Sequence, residues 1–192
     1  MSDILTIDTA VAAGIKQPEP QVEPLQVFND QFPMLSIPIP EFTGTLPNPS
    51  MTHLVKRLKM TMKLYSGLGL AANQCGVTER VFVIGTDQFQ MACINPKVIA
   101  KSEELAKDNE GCLSFPAFFL SLSRPKWVDV EFTDENGETK QTRLEGLTAR
   151  CFLHELDHLN GVKFDSYVGP ASIQQAKRKQ EKLIKKIVRR KK

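Results

Sequence analysis

The sequence predicts a single α+β domain. Three observations carry this reading: apolar runs of strand character at 81–84 and 91–99, an Asn136-Gly137 turn between two strand-like segments, and an unbroken helical pattern from Leu147 to Gly161 after them. With 192 residues, 41% apolar and 24% charged, the chain can form one core plus tails and has an ordinary globular composition. No apolar run approaches the roughly 20 residues that span a bilayer, so no membrane partner is expected. Asp3 and Asp8 stand where a targeting segment would carry basic residues, which predicts a cytoplasmic protein. Cys75, Cys93, Cys112 and Cys151 have no C-x-x-C spacing and are expected as free thiols.

Residues 1–24, with Pro18, Pro20 and Pro24, read as an extended leader, and the body is expected from Leu25. Pro33, Pro38 and Pro40 keep the next segment irregular. Asn48-Pro49-Ser50 is a helix-starting cluster with Ser50 as candidate cap. Met51, Leu54, Val55, Leu58 and Met62 then recur at helical spacing, which leaves His53 on the surface. Gly67-Leu68-Gly69-Leu70-Ala71-Ala72-Asn73-Gln74 lacks the third glycine and the lysine of phosphate loops. Its small residues instead let the backbone pass close to something such as a substrate, with the Gln74 amide at the end of the passage. Trp127 to Phe132 and Thr139 to Leu144 form a hairpin about the Asn-Gly turn. After Gly169-Pro170, a last helix is expected from Ser172 to about Arg190.

The helix at 147–161 contains His154-Glu155-Leu156-Asp157-His158, an H-E-x-x-H pattern. One turn apart, His154 and His158 share a face and can reach one metal ion, with Gly161 as the helix stop. Glu155, turned away from them, is placed to act on a water without being a ligand. Two core histidines satisfied by hydrogen bonds would produce the same pattern, so a third ligand decides. Cys112, Cys151, Cys75 and the carboxylates are the candidates. Three ligands on successive turns of one helix surround an ion poorly, which favours Cys112, on a separate segment after Gly111.

The 67–74 stretch, Glu110-Gly111-Cys112-Leu113-Ser114 and His154-Glu155-Leu156-Asp157-His158 together resemble, in order, the three motifs of peptide deformylases. The resemblance runs from about Leu25 to Val168. It implies a catalytic domain over 25–170, with antiparallel sheets wrapped around a central metal-binding helix; the residue pattern adds a basic C-terminal helix over 171–192 beyond it. It also implies removal of the formyl group from the N-terminal formylmethionine of new polypeptides. Cys112, His154 and His158 would hold one divalent ion, Fe2+ natively, with Ni2+, Co2+ or Zn2+ as replacements. In that family pattern metal-bound hydroxide attacks the formyl carbon, with Glu155 as general base and acid. The Gln74 side chain and the Leu113 backbone N–H would bind the oxyanion. Gly67, Leu68, Gly69, Glu110, Leu147, Arg150 and Cys151 match positions around the substrate. Asp157 and Arg124 match positions that orient ligands. Two departures stand out: Phe119 where many bacterial members carry arginine, and Arg150 where some carry an apolar pocket residue.

Two rival functions fail on the same residues. A metalloprotease would seek a downstream His or Glu as third ligand, and no histidine follows His158. An inactive RNA-binding relative would not need the complete set Gln74, Cys112, His154, Glu155 and His158. From Ala171 onward ten basic residues face Glu181 alone, a surplus of nine in a chain of net charge +3, so the rest carries −6. A basic tail on an acidic body points to a polyanionic partner for the tail. By resemblance that partner is the ribosome, and deletion of 172–192 is expected to spare hydrolysis of short peptides.

Overall fold

A computed structural model describes residues 22–86 and 88–190, so the expected leader lies outside the described residues as far as position 21, as does Asp87. The first α-helix among the described residues, α1 (Pro49–Leu64), buries Met51, Val55, Leu58, Thr61 and Met62. Its cap is Asn48, not the expected Ser50: Asn48 Oδ1 accepts the N–H groups of Ser50 and Met51 at 2.9 and 3.3 Å. Pro49 is suited to the first helical position because the N–H it lacks would have no partner there, which puts the cap one residue before it. Leu25, buried, donates its N–H to Thr61 Oγ1 at 2.7 Å and ties the start of the body to this helix.

Among the described residues seven strands follow, every pair antiparallel: β1 (Gly69–Ala71), β2 (Val81–Gly85), β3 (Gln90–Lys101), β4 (Leu105–Cys112), β5 (Phe115–Pro125), β6 (Trp127–Thr133) and β7 (Thr139–Glu145). Five of them form one sheet in the order β1-β2-β3-β6-β7, and β4 with β5 forms a separate hairpin. Helix α2 (Gly146–Leu159) contacts both sheets. Phe82 and Ile84 of β2 pack with Ala149, Phe152, Leu156 and Leu159 of α2. Val81 and Val83 turn the other way, onto Met51, Val55, Leu58 and Met62 of α1. Because both faces of β2 are covered, its sequence is a continuous apolar run rather than an alternation. Gly161, at φ +71°, follows α2, and a Cβ there would lie 2.8 Å from the Ile37 carbonyl carbon. Only glycine fits that turn.

The β4–β5 hairpin has no counterpart in the sequence reading, which took 109–116 as a motif without assigning strands. Its burial alternates along β5 through Phe118, Leu120, Leu122 and Arg124, so an arginine occupies a buried position of the pattern. The last helix, α3, is Pro170–Arg190 and starts two residues before Ser172. Gly169-Pro170 is therefore a helix start, with Pro170 at the first position, rather than only a break. Ile173 and Ala176 pack with Phe115, Phe118, Leu120, Leu122 and Phe164, and Gln180 Nε2 donates to Pro116 O at 2.7 Å. The first turns of α3 thus share a core cluster with the body as far as Gln180. Residues 181–189 are exposed, Leu183, Ile184, Ile187 and Val188 among them.

Phe152, fully buried with its ring edge-on to Phe82 at 5.0 Å, joins α2 to the sheet. Phe152→Ala is expected to destabilise the domain by about 3–5 kcal/mol in urea unfolding, the cost of an aromatic-sized cavity. A loss below about 1 kcal/mol would mean that α2 is held from elsewhere.

Candidate metal centre

Two elements separated in sequence deliver the donors. Cys112 ends β4, immediately before the two-residue turn Leu113-Ser114, and Phe115 is its register partner on β5. His154 and His158 project from successive turns of α2. Sγ of Cys112 lies 3.2 Å from His158 Nε2, and one ligand atom from each of the three residues falls within 4.8 Å of the others. Cys151 stands apart from this trio, its Sγ donating to Leu68 O at 3.1 Å. Burial, reinforced by the charge of Glu155, pushes its thiol well up, so it stays protonated.

The donor set fits a metal ion. Glu110 Oε2 lies 3.0 Å from His154 Nδ1. An ionised carboxylate only accepts, so Nδ1 carries a proton and Nε2 is left as the nitrogen on which a cation would replace a proton. Burial works against ionisation of Glu110, but hydrogen bonds from Arg124 and His154 win and lower its pKa to about 2. Burial likewise opposes charge on His154, yet its hydrogen bonds to Cys112 and Glu110 raise it to about 10. His158 is held well below the usual range, first by burial and then by the charges of His154 and Arg124. One positive charge is therefore favoured beside the thiol, and a divalent cation competes with a proton for that place.

Glu155 keeps one carboxylate oxygen unpartnered. Its Oε2, like His158 Nδ1, is buried without a hydrogen-bond partner among the described residues. Burial raises its pKa to about 7 against the pull of His154, a value at which it can both take and return a proton. The glycines of the 67–74 stretch explain its position. A Cβ on Gly69 would strike the Glu155 carboxylate and come 2.8 Å from Cys151 Sγ, so the close approach is to α2. Asn73 Nδ2, at 2.6 Å from His158 O, pins the stretch to that helix. Gln74 is oriented from both ends. Its Oε1 accepts the Ala71 N–H at 2.9 Å, so Nε2 points to Ser114 Oγ and Cys112 Sγ at 3.2 and 3.4 Å.

A cavity of 620 Å³ opens on this cluster, in the range of small-molecule sites. Gly67, Leu68, Gly69, Gln74, Glu110, Cys112, Leu113, Leu147, Arg150, Cys151, His154 and Glu155 all line it, as does Phe119. Arg124 and Asp157 lie behind the histidines. Arg124 bonds both oxygens of Glu110 at 2.8 and 2.9 Å and reaches Asp157 at 2.7 Å. Sequence reasoning missed Ser114, although it sits inside a quoted motif, and the cavity residues Val27, Phe28 and Tyr65. It also missed Tyr167, which donates to Asp157 Oδ1 at 2.9 Å and lies under Arg124. No spacing signal marks a tyrosine on a short turn after the helix.

The profile of the polypeptide deformylase family matches residues 24–172. The chain belongs to that family. Deformylases are metal-dependent enzymes that remove N-formyl groups from nascent peptides. The peptide deformylase of Thermotoga neapolitana is 41% identical over 122 residues, which cover 64% of this chain and 74% of that one. A Bradyrhizobium deformylase is 36% identical over 168 residues, covering 83% and 89%. The solved deformylase of Synechococcus elongatus, in complex with actinonin, superposes with a TM-score of 0.77 at 32% identity, over 86% of this chain and 90% of that one. The α+β fold expected from the sequence is thus the deformylase fold.

Gly69→Ala is expected to reduce deformylation sharply, because the added methyl displaces Glu155. A Gly69→Ala variant as active and as heat-stable as the parent would show that the contact is not tight.

Proposed function

We propose that this deformylase works with Cys112 Sγ, His154 and His158 as ligands of one divalent ion and Glu155 as its proton carrier. The observation that carries the reading is the convergence of the three donors on one point, beside Gln74 Nε2, with Cys112, His154 and the Glu155 side chain, one of whose oxygens is unpartnered, lining one cavity. When bound, the ion supplies Lewis acidity and lowers the pKa of a water towards neutrality. Glu155 Oε2 takes a proton from the attacking water and returns it to the departing amine. Gln74 Nε2 and the Leu113 N–H donate to the formyl oxygen as charge develops on it, and Ala71 keeps the Gln74 amide from flipping. Glu110, held by Arg124, fixes the tautomer and rotation of His154.

Gly67, Leu68, Gly69, Leu147 and Cys151 wall the space for the first side chain. Leu68, Leu147, Tyr65 and Phe119, each roughly half exposed, make the mouth apolar. That mouth suits apolar side chains following the formylmethionine, and the arginine common among bacterial members would instead favour acids. Ferrous iron is the native ion in this reading, with Ni2+, Co2+ or Zn2+ able to replace it; the thiolate and imidazole donors suit all four. The protein acts in the cytoplasm on nascent chains, and among the described residues no helix is long and apolar enough to cross a membrane.

Cys112→Ala and His158→Ala should lose both tight metal binding and activity, while Glu155→Ala should keep its metal and lose turnover. Elemental analysis after anaerobic purification and dialysis reads this and identifies the ion. A metal-free Glu155→Ala or a fully loaded Cys112→Ala would sink the assignment of roles.

The basic helix is proposed to dock on the ribosome, with RNA phosphates as counter-charge and binding that weakens steeply with salt. Support comes from the exposure of 181–189 and the excess of lysine and arginine there. Removal of residues 181–192, which leaves Ile173, Ala176 and Gln180 in place, should abolish low-salt co-sedimentation with ribosomes and preserve peptide hydrolysis. Equal pelleting of the truncated and full-length proteins would end the docking proposal.

A further inference from the structure

Arg150 lies one helical turn before His154, at a position that the family resemblance puts in the wall of the substrate pocket. Arg150 does line the cavity, but both Nη atoms of its guanidinium are engaged by protein groups. Nη1 donates to Glu110 Oε1 at 2.7 Å and to Leu122 O at 3.1 Å, and Nη2 donates to Ala106 O at 2.6 Å. The residue is 6% exposed. Ala106 and Glu110 belong to β4 and Leu122 to β5, so one guanidinium on α2 grips both strands of the hairpin.

The bonds converge on Glu110. Its Oε1 accepts from Arg150 and Arg124, and its Oε2 accepts from Arg124 and His154. A carboxylate bonded at both oxygens cannot turn without breaking contact with at least one arginine. Oε2 in turn sets the rotation of the His154 ring, and hence the direction of Nε2. Cys112 lies two residues beyond Glu110 on the same strand. Arg150 therefore acts on the strand that carries the sulfur ligand and on the carboxylate that orients a nitrogen ligand. Packing alone would be served by the two carbonyls; the bond to Glu110 Oε1 is the one that reaches the donors.

We infer that Arg150 is a positioning residue of the metal centre, fixing His154 and Cys112 relative to each other through Glu110, and that it does not recognise the substrate. This rests on the reading of Cys112, His154 and His158 as ligands. Three measurements on the full chain test it: zinc affinity by competition with a chromophoric chelator, the absorption spectrum of the cobalt-substituted protein, and kcat and KM for a formylated tripeptide.

Arg150→Met should bind zinc about 10–100-fold more weakly, the usual loss when a group that orients a ligand is removed. Its cobalt bands should shift and its kcat fall, with KM unchanged. Arg150→Lys should recover part of the affinity, because an ammonium can reach Glu110 Oε1 but lacks the planar fork that also holds both carbonyls. Parental zinc affinity and cobalt spectrum in Arg150→Met would overturn the inference, as would a rise in KM alone, which would return Arg150 to the pocket wall. If Arg150→Met does not fold, Arg150→Lys decides on the same readouts: weakened zinc binding supports the role, and parental affinity with a parental spectrum removes it. Failure of the unsubstituted protein to take up zinc or cobalt is a separate result, and would sink the metal-centre reading itself.

Discussion

The donors of this site sit on two elements, and Cys112 and His158 are 46 positions apart in the chain. Everything at the centre depends on the β4–β5 hairpin being held in one register on α2. Apolar packing does part of this, but it is tolerant of small slips. The buried charges are not. Arg124 and Arg150 from the two sides meet Glu110 and Asp157, two cations against two anions, all with little or no solvent exposure. A buried ion cluster is weak evidence for net stability, because desolvation offsets much of the attraction. Breaking it is another matter: one orphaned partner costs about 3–5 kcal/mol. Such a cluster penalises every arrangement except the one in which all its bonds are made, and that arrangement brings Cys112 to the histidines.

Two glutamates in the same site are given opposite properties by their surroundings. Glu110 is encircled by donors and stays ionised, a fixed acceptor that cannot exchange its proton usefully near neutrality. Glu155 is buried against Gly69 and Cys151 with one oxygen unpartnered, and burial brings it to about 7. The difference follows from where each side chain lies in the fold, since the residue type is the same. In the proposed mechanism it separates a residue that orients from one that moves a proton.

How much of this was legible in the sequence varies with the kind of signal. Helix α2 and its three-residue motif were legible because a 3.6-residue period and an i, i+4 histidine pair survive as spacing. The β6–β7 hairpin was legible from its Asn-Gly turn. Strand β4 was not, because Lys107, Asp108 and Asn109 are exposed and it shows no apolar face; β5 does carry an alternating apolar face, Phe118, Leu120 and Leu122, but it ends in the buried Arg124 and no Asn-Gly-type turn signal joins it to β4. The true cap, Asn48, was hidden behind a serine with equal propensity, and only the proline between them decides. Arg150 posed a harder problem. A sequence shows that an arginine faces inward, but the partner that neutralises it lies 40 positions away in the chain.

The last helix would join the site to any partner of the basic tail. Its first turns are built into the cluster that includes Phe115 and Phe118, and Cys112 packs partly against the same cluster. Gln180 bonds Pro116 O, and Pro116 itself lines the cavity. The root of the helix is thus fixed to the rim of the active-site mouth rather than hung on a linker. A surface that bound residues 181–189 would hold the mouth at a set angle and distance. Flexible attachment would raise only the local concentration of substrate, with orientation left free. Rigid attachment constrains orientation as well, and the side chains that enforce it, Ile173, Ala176 and Gln180, belong to the folded body. The helix therefore has two parts with different physics: an apolar root that shares the core behind Cys112, and a charged tip whose four exposed aliphatic residues and lysines have no use for that core.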